Sequence, residues 1–326
     1  MDALRGLIVG AGGMGRAWVE NLRDHPGTEV AGICDIDPAG AAQRADEYGL
    51  AVPTGSDLSR LIAEVQPDFV VDVTVPEAHR DVVTTALRAG VPVLGEKPMA
   101  DTLENARAMV QASKETGQLY MVSQSRRYDA RLVAFQSAIQ TLGPLALLNV
   151  DFYLGPHFGG FREEMPSPLL LDMAIHTFDA ARKLTGQDAL RCTSFEWNPD
   201  WSWYRGAAFA ECRFEMTGGI IFHYRGSWAA HGHPTSWEGN WRAVGRDGSA
   251  VWDGHGAPSA DVVTGQEGFF RPSEVREFAP PEPFAGGIRG ALEEFLHALA
   301  TGATPQGACH DNLKSLEMVF MALNRE

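Results

Sequence analysis

Cysteine is scarce. Four cysteines, Cys34, Cys192, Cys212 and Cys309, are scattered along 326 residues. Their spacing matches neither a metal-binding module nor a redox motif, and an even count does not make them disulfides. Cys34 and Cys212 lie in apolar strand patterns and read as core thiols. Basic residues are also few: 27 Lys and Arg stand against 42 Asp and Glu, a net charge of −15. That balance argues against nucleic acid or an anionic membrane as a partner. No apolar run is long enough to span a bilayer. The N-terminus is a strand broken by Gly10, without signal-peptide character, so the expected location is the cytoplasm. Internal repeats and low-complexity segments are missing. What remains has the composition of a soluble enzyme: 44% of residues are apolar, enough for substantial cores, and the length suggests two domains.

The most informative segment lies near the start. The apolar run Leu7-Ile8-Val9 leads into Gly10-Ala11-Gly12-Gly13-Met14-Gly15, and a helical stretch follows from Arg16 to Asp24. A Gly-x-Gly-x-x-Gly turn between a strand and a helix is the spacing that binds a dinucleotide. Gly10 permits a tight turn, Gly12 lets the backbone approach a pyrophosphate, and Gly15 lets helix and strand pack closely. The helix start offers free N–H groups and a positive dipole end to the phosphates. Taken alone, the glycines would indicate only a tight loop. Their partner is Asp35, which ends the second apolar stretch, Glu29–Cys34, twenty residues beyond Gly15. A carboxylate there accepts hydrogen bonds from the adenine ribose and repels a 2′-phosphate. Asp37, Pro38 and Ala39 follow, with no Arg close behind, so NAD is expected in preference to NADP. Asp37 reads as the cap of the next helix.

Strands are expected at Leu4–Val9, Val30–Cys34, Phe69–Val73, Pro92–Leu94 and Leu119–Val122. Helices are expected between them, at Gly15–Asp24, Ala39–Tyr48, Leu58–Val65, Ala78–Ala89 and Leu103–Thr116. This alternation predicts an α/β domain built on a parallel sheet, over residues 1–124. Beyond about Arg126 the pattern changes. A helix at Arg131–Gln140 precedes long alternating segments, such as Ala210–Met216, which read as half-buried antiparallel strands. Thr217-Gly218-Gly219 predicts a hairpin turn with a return over Ile220–Trp228. A second hairpin is expected from Trp237–Val244 to Ala250–Trp252. One helix, Leu169–Leu184, interrupts this region, and helices at Ile288–Ala300 and Asn312–Asn324 close the chain after the stiff Pro280-Pro281-Glu282-Pro283. Residues 125–326 are therefore expected to form an α+β domain with a large, mostly antiparallel open sheet.

Two segments carry chemistry. Glu96-Lys97-Pro98 follows a strand at the carboxyl edge of the parallel sheet, where ligands bind in such folds. Lys97 there is suited to donate to a substrate oxygen and stabilise alkoxide charge; a surface ion pair before a turn proline fits the residues equally well. The second segment is Asp172-x-x-x-His176 with Asp179, a polar stripe on one face of an apolar helix. A buried stripe of this kind needs partners or a task. Three readings compete: a structural network, a metal site that lacks nearby third and fourth ligands, and a catalytic base. In the third, a neutral His176 accepts a hydroxyl proton while hydride leaves the same carbon, and Asp172 orients substrate or imidazole. Asp179 reads as structural, and no metal is expected.

These motifs together resemble the glucose–fructose oxidoreductase / inositol dehydrogenase (Gfo/Idh/MocA) family of NAD(P)-dependent oxidoreductases, over nearly the full length. The run Gly10, Gly12, Gly13, Met14, Gly15 resembles the family's nucleotide turn. Thr74, Val75, Pro76 and His79 resemble its Thr-Pro-x-x-x-His loop beside the nicotinamide, here with Val75 inserted in the Thr-Pro pair. Glu96-Lys97-Pro98 is similar to its Glu-Lys-Pro signature, and Asp172 and His176 to its Asp-x-x-x-His motif. The closing segment Gly302-Ala303-Thr304-Pro305 also resembles the family's. The resemblance implies a Rossmann domain followed by a substrate-binding and oligomerisation domain. It assigns Lys97 to assist catalysis, His176 as proton acceptor, and the Thr74–His79 loop to the nicotinamide; Glu96 is placed either to hold Lys97 or to contact the nicotinamide ribose, and Glu96 and Lys97 both count among the expected cofactor contacts. It also implies a homodimer or homotetramer through the open sheet. The chain departs from the family where Met165-Pro166-Ser167-Pro168-Leu169-Leu170 replaces a glycine-rich stretch before Asp172, at a loop that borders the substrate. Arg127-Tyr128 resembles an Arg-aromatic pair of variable role.

Seven of the eight tryptophans lie at or after Trp197. Most read as core or interface residues. Arg127, Tyr128, Tyr153 and His157 are further candidate substrate contacts. His231-Gly232-His233 has two histidines without an evident companion ligand. The expected activity is NAD-dependent hydride transfer with a secondary alcohol of a sugar, cyclitol or sugar derivative. Two alternatives share the motifs: transient carbohydrate oxidation with a recycled bound NAD, leading to elimination or glycoside cleavage, and a non-catalytic NAD-binding sensor.

Overall fold

In the computed structural model, which describes residues 3–324, the alternating apolar and capped segments of the first part build a parallel sheet. The elements are β1 (Leu4–Val9), α1 (Gly13–Arg23), β2 (Thr28–Cys34), α2 (Pro38–Glu47), β3 (Thr54–Gly55), α3 (Leu58–Val65), β4 (Phe69–Asp72), α4 (Pro76–Arg88), β5 (Val93–Glu96), α5 (Leu103–Thr116) and β6 (Tyr120–Ser123). The strand order is β3-β2-β1-β4-β5-β6, with every pairing parallel. The order reverses between β1 and β4, which places a ligand crevice at the carboxyl ends of those strands. Local chemistry explains the helix boundaries. Asp37, Asp57 and Thr102 cap α2, α3 and α5 through Ala39, Arg60 and Asn105 amides. Gly117, at φ +68°, ends α5 in the left-handed conformation. Gly15, Trp18, Val19 and Leu22 form the buried stripe of α1, and all four residues of β4 are buried, as a strand covered on both faces requires.

The second part begins with α6 (Ala130–Gln140) and continues through β7 (Leu145–Tyr153), α7 (Phe161–Glu164), a π turn at Leu169–Met173 and α8 (Ala174–Thr185). Strands β8 (Ala189–Trp197), β9 (Phe209–Met216), β10 (Ile221–Ser227), β11 (Asn240–Gly245), β12 (Gly248–Trp252), β13 (Ser259–Val263) and β14 (Ser273–Glu277) follow. The eight-stranded sheet has the order β14-β13-β12-β11-β7-β10-β9-β8. All its pairings are antiparallel except β7 with β10. Its inner face is aromatic. Phe178 of α8 packs edge-on against Phe214, Phe222 and Tyr224, and Phe135 of α6 lies against Trp241 and Trp252. The outer face alternates charges, including an Arg225–Asp151 pair at 2.8 Å. The expected helix Leu169–Leu184 is in fact two segments, the π turn and then α8. The expected strand from Trp237 starts only at Asn240, after Gly239 at φ +84°.

The chain closes with α9 (Gly287–Thr301) and α10 (Cys309–Ala322). Two units result: Met1–Ser125 with Gly287–Leu313, and Arg126–Gly286 with Lys314–Glu326. Residues 287–313 thus return to the first unit, which a single division at 124/125 does not anticipate. There Phe295 meets Phe69 at 5.6 Å and the Gly307 carbonyl accepts from the Val122 amide at 2.8 Å.

Candidate active site

The glycine turn has the geometry its spacing predicts. Gly10 has φ +112°, and a Cβ there would stand 2.7 Å from the Val73 carbonyl oxygen. A Cβ on Gly15 would stand 2.0 Å from the Gly10 carbonyl oxygen. Only glycine fits either position. Around the Cβ positions of Gly12 and Gly13, by contrast, nothing lies within 4 Å. Helix α1 starts here with no side-chain cap and no acidic residue in its first turn. Open space in front of uncapped N–H groups is the cradle a pyrophosphate needs, so these residues fit a dinucleotide. Met14 is exposed beside the turn.

Asp35 sits at the end of β2, next to this cradle. Its Oδ2 accepts from the Ala11 amide at 2.6 Å and its Oδ1 from the Asp37 amide at 2.9 Å. A carboxylate has about four acceptor sites, so both oxygens keep capacity for ribose hydroxyls. Asp37 caps α2 as expected. Arg44 was not anticipated. Nine residues after Asp35, it reaches back from α2 and donates from Nε and Nη2 to the Ala11 carbonyl, at 3.1 and 2.9 Å, while pairing with Glu47. Its distance along the chain hid it; the helix brings it to the turn.

Beyond β4 lies a buried polar group. Asp72 Oδ1 accepts from both the amide and the hydroxyl of Thr74, at 3.1 and 2.6 Å, and Asp72 Oδ2 stands 2.7 Å from His79 Nδ1. His79 is only 1% exposed, so it braces the Thr74–Val75–Pro76 loop from within, while Val75 is exposed and Pro76 opens α4. Burial works against a charged His79, but the Asp72 charge and hydrogen bond, with help from Glu96 and Glu77, outweigh it and raise its pKa. Glu96, at the end of β5, is buried too. It accepts from the Trp18 indole at 2.8 Å and from the Lys97 amide at 3.2 Å. Burial pushes its carboxyl up against the pull of those donors. Lys97 follows, half-buried, at the carboxyl edge of the sheet.

In the second unit Asp172 belongs to the π turn and His176 to the first turn of α8, so the change of helical pitch falls between them. Arg162 donates from Nε to Asp172 Oδ2 at 2.7 Å, and its guanidinium lies over the rings of Phe158 and Phe161. Neither Arg162 nor its aromatic setting had a signal in the sequence, because the loop that carries them has no periodicity. His176 is buried. Asp179 is structural, as its place on the stripe suggested. Arg127 donates to it from Nε and Nη2 at 2.7 and 2.8 Å, and the Ser315 hydroxyl adds a third bond at 2.6 Å.

That pairing corrects the expectation of Arg127 as a substrate contact, since its guanidinium is buried and committed to a carboxylate. The neighbouring Tyr128 is buried as well. Tyr153 also differs from expectation. The period-two alternation of β7 puts it on the outer face with Asp151, opposite the aromatic face that α8 covers. His157 stacks on Trp203 at 3.8 Å, with its Nε2 3.3 Å from His231 Nε2. Among the described residues no group of three or more His, Cys, Asp or Glu side chains is arranged to hold a metal. None of their helices is long and apolar enough to cross a membrane.

Comparison with known proteins bears on the fold that carries these residues. Residues 4–124 match the family described as an oxidoreductase family with an NAD-binding Rossmann fold. An uncharacterised protein of Sinorhizobium fredii is 27% identical over 97% of this chain and 92% of its own. A 1,5-anhydro-D-fructose reductase of Ensifer adhaerens is 33% identical over 56% of each chain, so the match spans just over half of that relative. Among solved structures, an oxidoreductase from Agrobacterium radiobacter in complex with NAD+, L-tartaric acid and magnesium aligns with a TM-score of 0.84 at 22% identity. It covers 98% of this chain and 96% of that one. At that identity the likeness establishes a common fold.

Proposed function

We propose that this chain, whose residues 4–124 match the Gfo/Idh/MocA family of oxidoreductases, transfers a hydride between NAD and a secondary alcohol of a sugar, cyclitol or sugar derivative. The observation that carries this reading is a coincidence at one sheet edge. An open glycine cradle, Asp35 and Lys97 stand at the carboxyl ends of β1, β2 and β5, strands of one parallel sheet. Gly12, Gly13 and the N–H groups that open α1 hold the pyrophosphate, and Asp35 takes the adenine ribose, which favours NAD over NADP. The Thr74–His79 loop and Glu96 shape the nicotinamide end. The dinucleotide, when bound, supplies the hydride acceptor.

The chain handles the proton and the charge. Lys97 donates to the substrate oxygen and stabilises its developing negative charge. His176 accepts the hydroxyl proton as the carbon loses its hydride, so an alcohol becomes a carbonyl and the imidazole an imidazolium. Asp172, held by Arg162, orients the substrate hydroxyls. The outer face of the eight-stranded sheet is the inferred subunit interface. Phe195, Trp197 and Val251 are exposed there, and a depression of about 520 Å³ lies among Thr193, Glu211, Arg213 and His223.

The test is nicotinamide reduction by the purified protein, with NAD and separately with NADP, against free sugars, cyclitols, glycosides and sugar acids. Stoichiometric NADH with one ring class supports the reading. Protein that binds NAD and releases no NADH with any of them overturns it.

A further inference from the structure

We propose that Trp18 is a positioning residue. Its indole N–H fixes the Glu96 carboxylate, Glu96 fixes the main chain at Lys97, and the helix that opens at the glycine turn thereby holds the lysine segment in place. The effect on turnover rests on the dehydrogenase reading above; the coupling of Trp18 to Glu96 does not.

The two oxygens of Glu96 are held by different elements. Oε1 accepts from Trp18 Nε1 of α1 at 2.8 Å, and Oε2 from the Lys97 amide at 3.2 Å. Trp18 lies one helical turn beyond Gly15, on the same buried stripe, and is fully buried. Strand β5 is two places from β1 in the sheet, roughly 10 Å at the usual strand spacing. An indole bridges such a gap and still ends in a donor; phenylalanine has the ring but no N–H. A buried carboxylate is costly unless hydrogen-bonded. Burial pushes the Glu96 carboxyl up, while the Trp18 indole, the Lys97 amide, the Lys97 ammonium and His79 of α4 all draw it down. Asp72 of β4 faces this group through His79. The indole therefore acts on the state and the direction of Glu96 together, and through Glu96 on the peptide that carries Lys97.

Trp18→Phe removes the donor and keeps most of the ring volume. The first readout is the titration of the Glu96 side-chain carboxyl by carbon NMR, which needs no substrate. In Trp18→Phe the carboxyl should titrate at higher pH than in the parent protein; an unchanged titration overturns the proposal. The second is a cycle with Glu96→Gln, measured as kcat with NAD binding followed in parallel by calorimetry. Each single variant should lower kcat by about tenfold, and the double variant by little more than either, because contacting residues are non-additive. Multiplying effects would overturn the proposal. If Trp18→Phe does not fold, Trp18→His retains a ring N–H and enters the same comparison, where Glu96 should titrate near its parent value. A parent protein that turns over no substrate defeats the functional reading alone, since the NMR titration still decides the coupling.

Discussion

Replacing Arg127 with Met removes the bidentate partner of a carboxylate that has almost no access to water. The two side chains are 6% and 3% exposed, and their paired bonds are 2.7 and 2.8 Å. The Ser315 hydroxyl, at 2.6 Å, stays on Asp179. One neutral hydroxyl does not offset the loss of a guanidinium, and breaking a buried pair from one side costs about 3–5 kcal/mol. For a unit of this size that corresponds to a fall in melting temperature of roughly 6–20 °C. The double variant Arg127→Met/Asp179→Leu buries no unpaired charge and should recover most of the loss. Calorimetric melting of the three proteins measures this directly, with KM for the best substrate determined on each at a temperature where all are folded. An Arg127→Met protein that melts like its parent while its KM rises would refute the reasoning. It would return Arg127 to the substrate, where its place in the sequence pattern first put it.

Three further outcomes follow from the site. Lys97→Ala and His176→Ala should each lower kcat by about 10²–10⁴-fold, while calorimetric NAD binding persists; full turnover in either variant excludes that residue from the chemistry. Asp35→Ser should weaken NAD binding and narrow the ratio of kcat/KM between NAD and NADP. It removes the charge that repels a 2′-phosphate and leaves Arg44 beside the turn; an unchanged ratio would show that Asp35 does not select the cofactor. The raised pKa of His79 means that the folded protein holds this proton more tightly than the unfolded chain. Its stabilising contribution is whole below the ordinary value of 6.5 and is lost as pH climbs through the raised value. His79→Gln should flatten that part of the melting-temperature profile; parallel profiles for the two proteins would discard the Asp72–His79 pair as its source.

The parts of this protein that are legible in the sequence are those set by neighbours along the chain. Caps at Asp37, Asp57 and Thr102, the stop at Gly117 and the steric demands of Gly10 and Gly15 all act within a few residues, so the strand–helix alternation and the nucleotide turn can be read directly. Asp35 belongs with them, because its place depends only on where its strand ends. Apolar periodicity marked Leu169–Leu184 as helical, yet it carries no information on pitch, and the π turn that carries Asp172 escaped it. The alternation of β7 sets Tyr153 and Phe152 on opposite faces. Which side α6 and α8 would cover was decided elsewhere in the chain, and with it the fate of Tyr153. Arg127 was marked as a residue of interest, but its commitment to Asp179 depends on a helix some fifty residues away. Arg44 at the glycine turn, Trp18 on Glu96 and Arg162 on Asp172 have the same origin. Each joins residues that local propensity cannot relate, since a hydrogen bond between distant segments exists only after the core has closed and the cost of ordering them has been met. The sequence by itself determined the architecture of strands and helices and the identity of the nucleotide-binding turn, and the tertiary structure decided which charged side chains are committed to bracing the fold, because those pairs join segments that meet only once the core has closed.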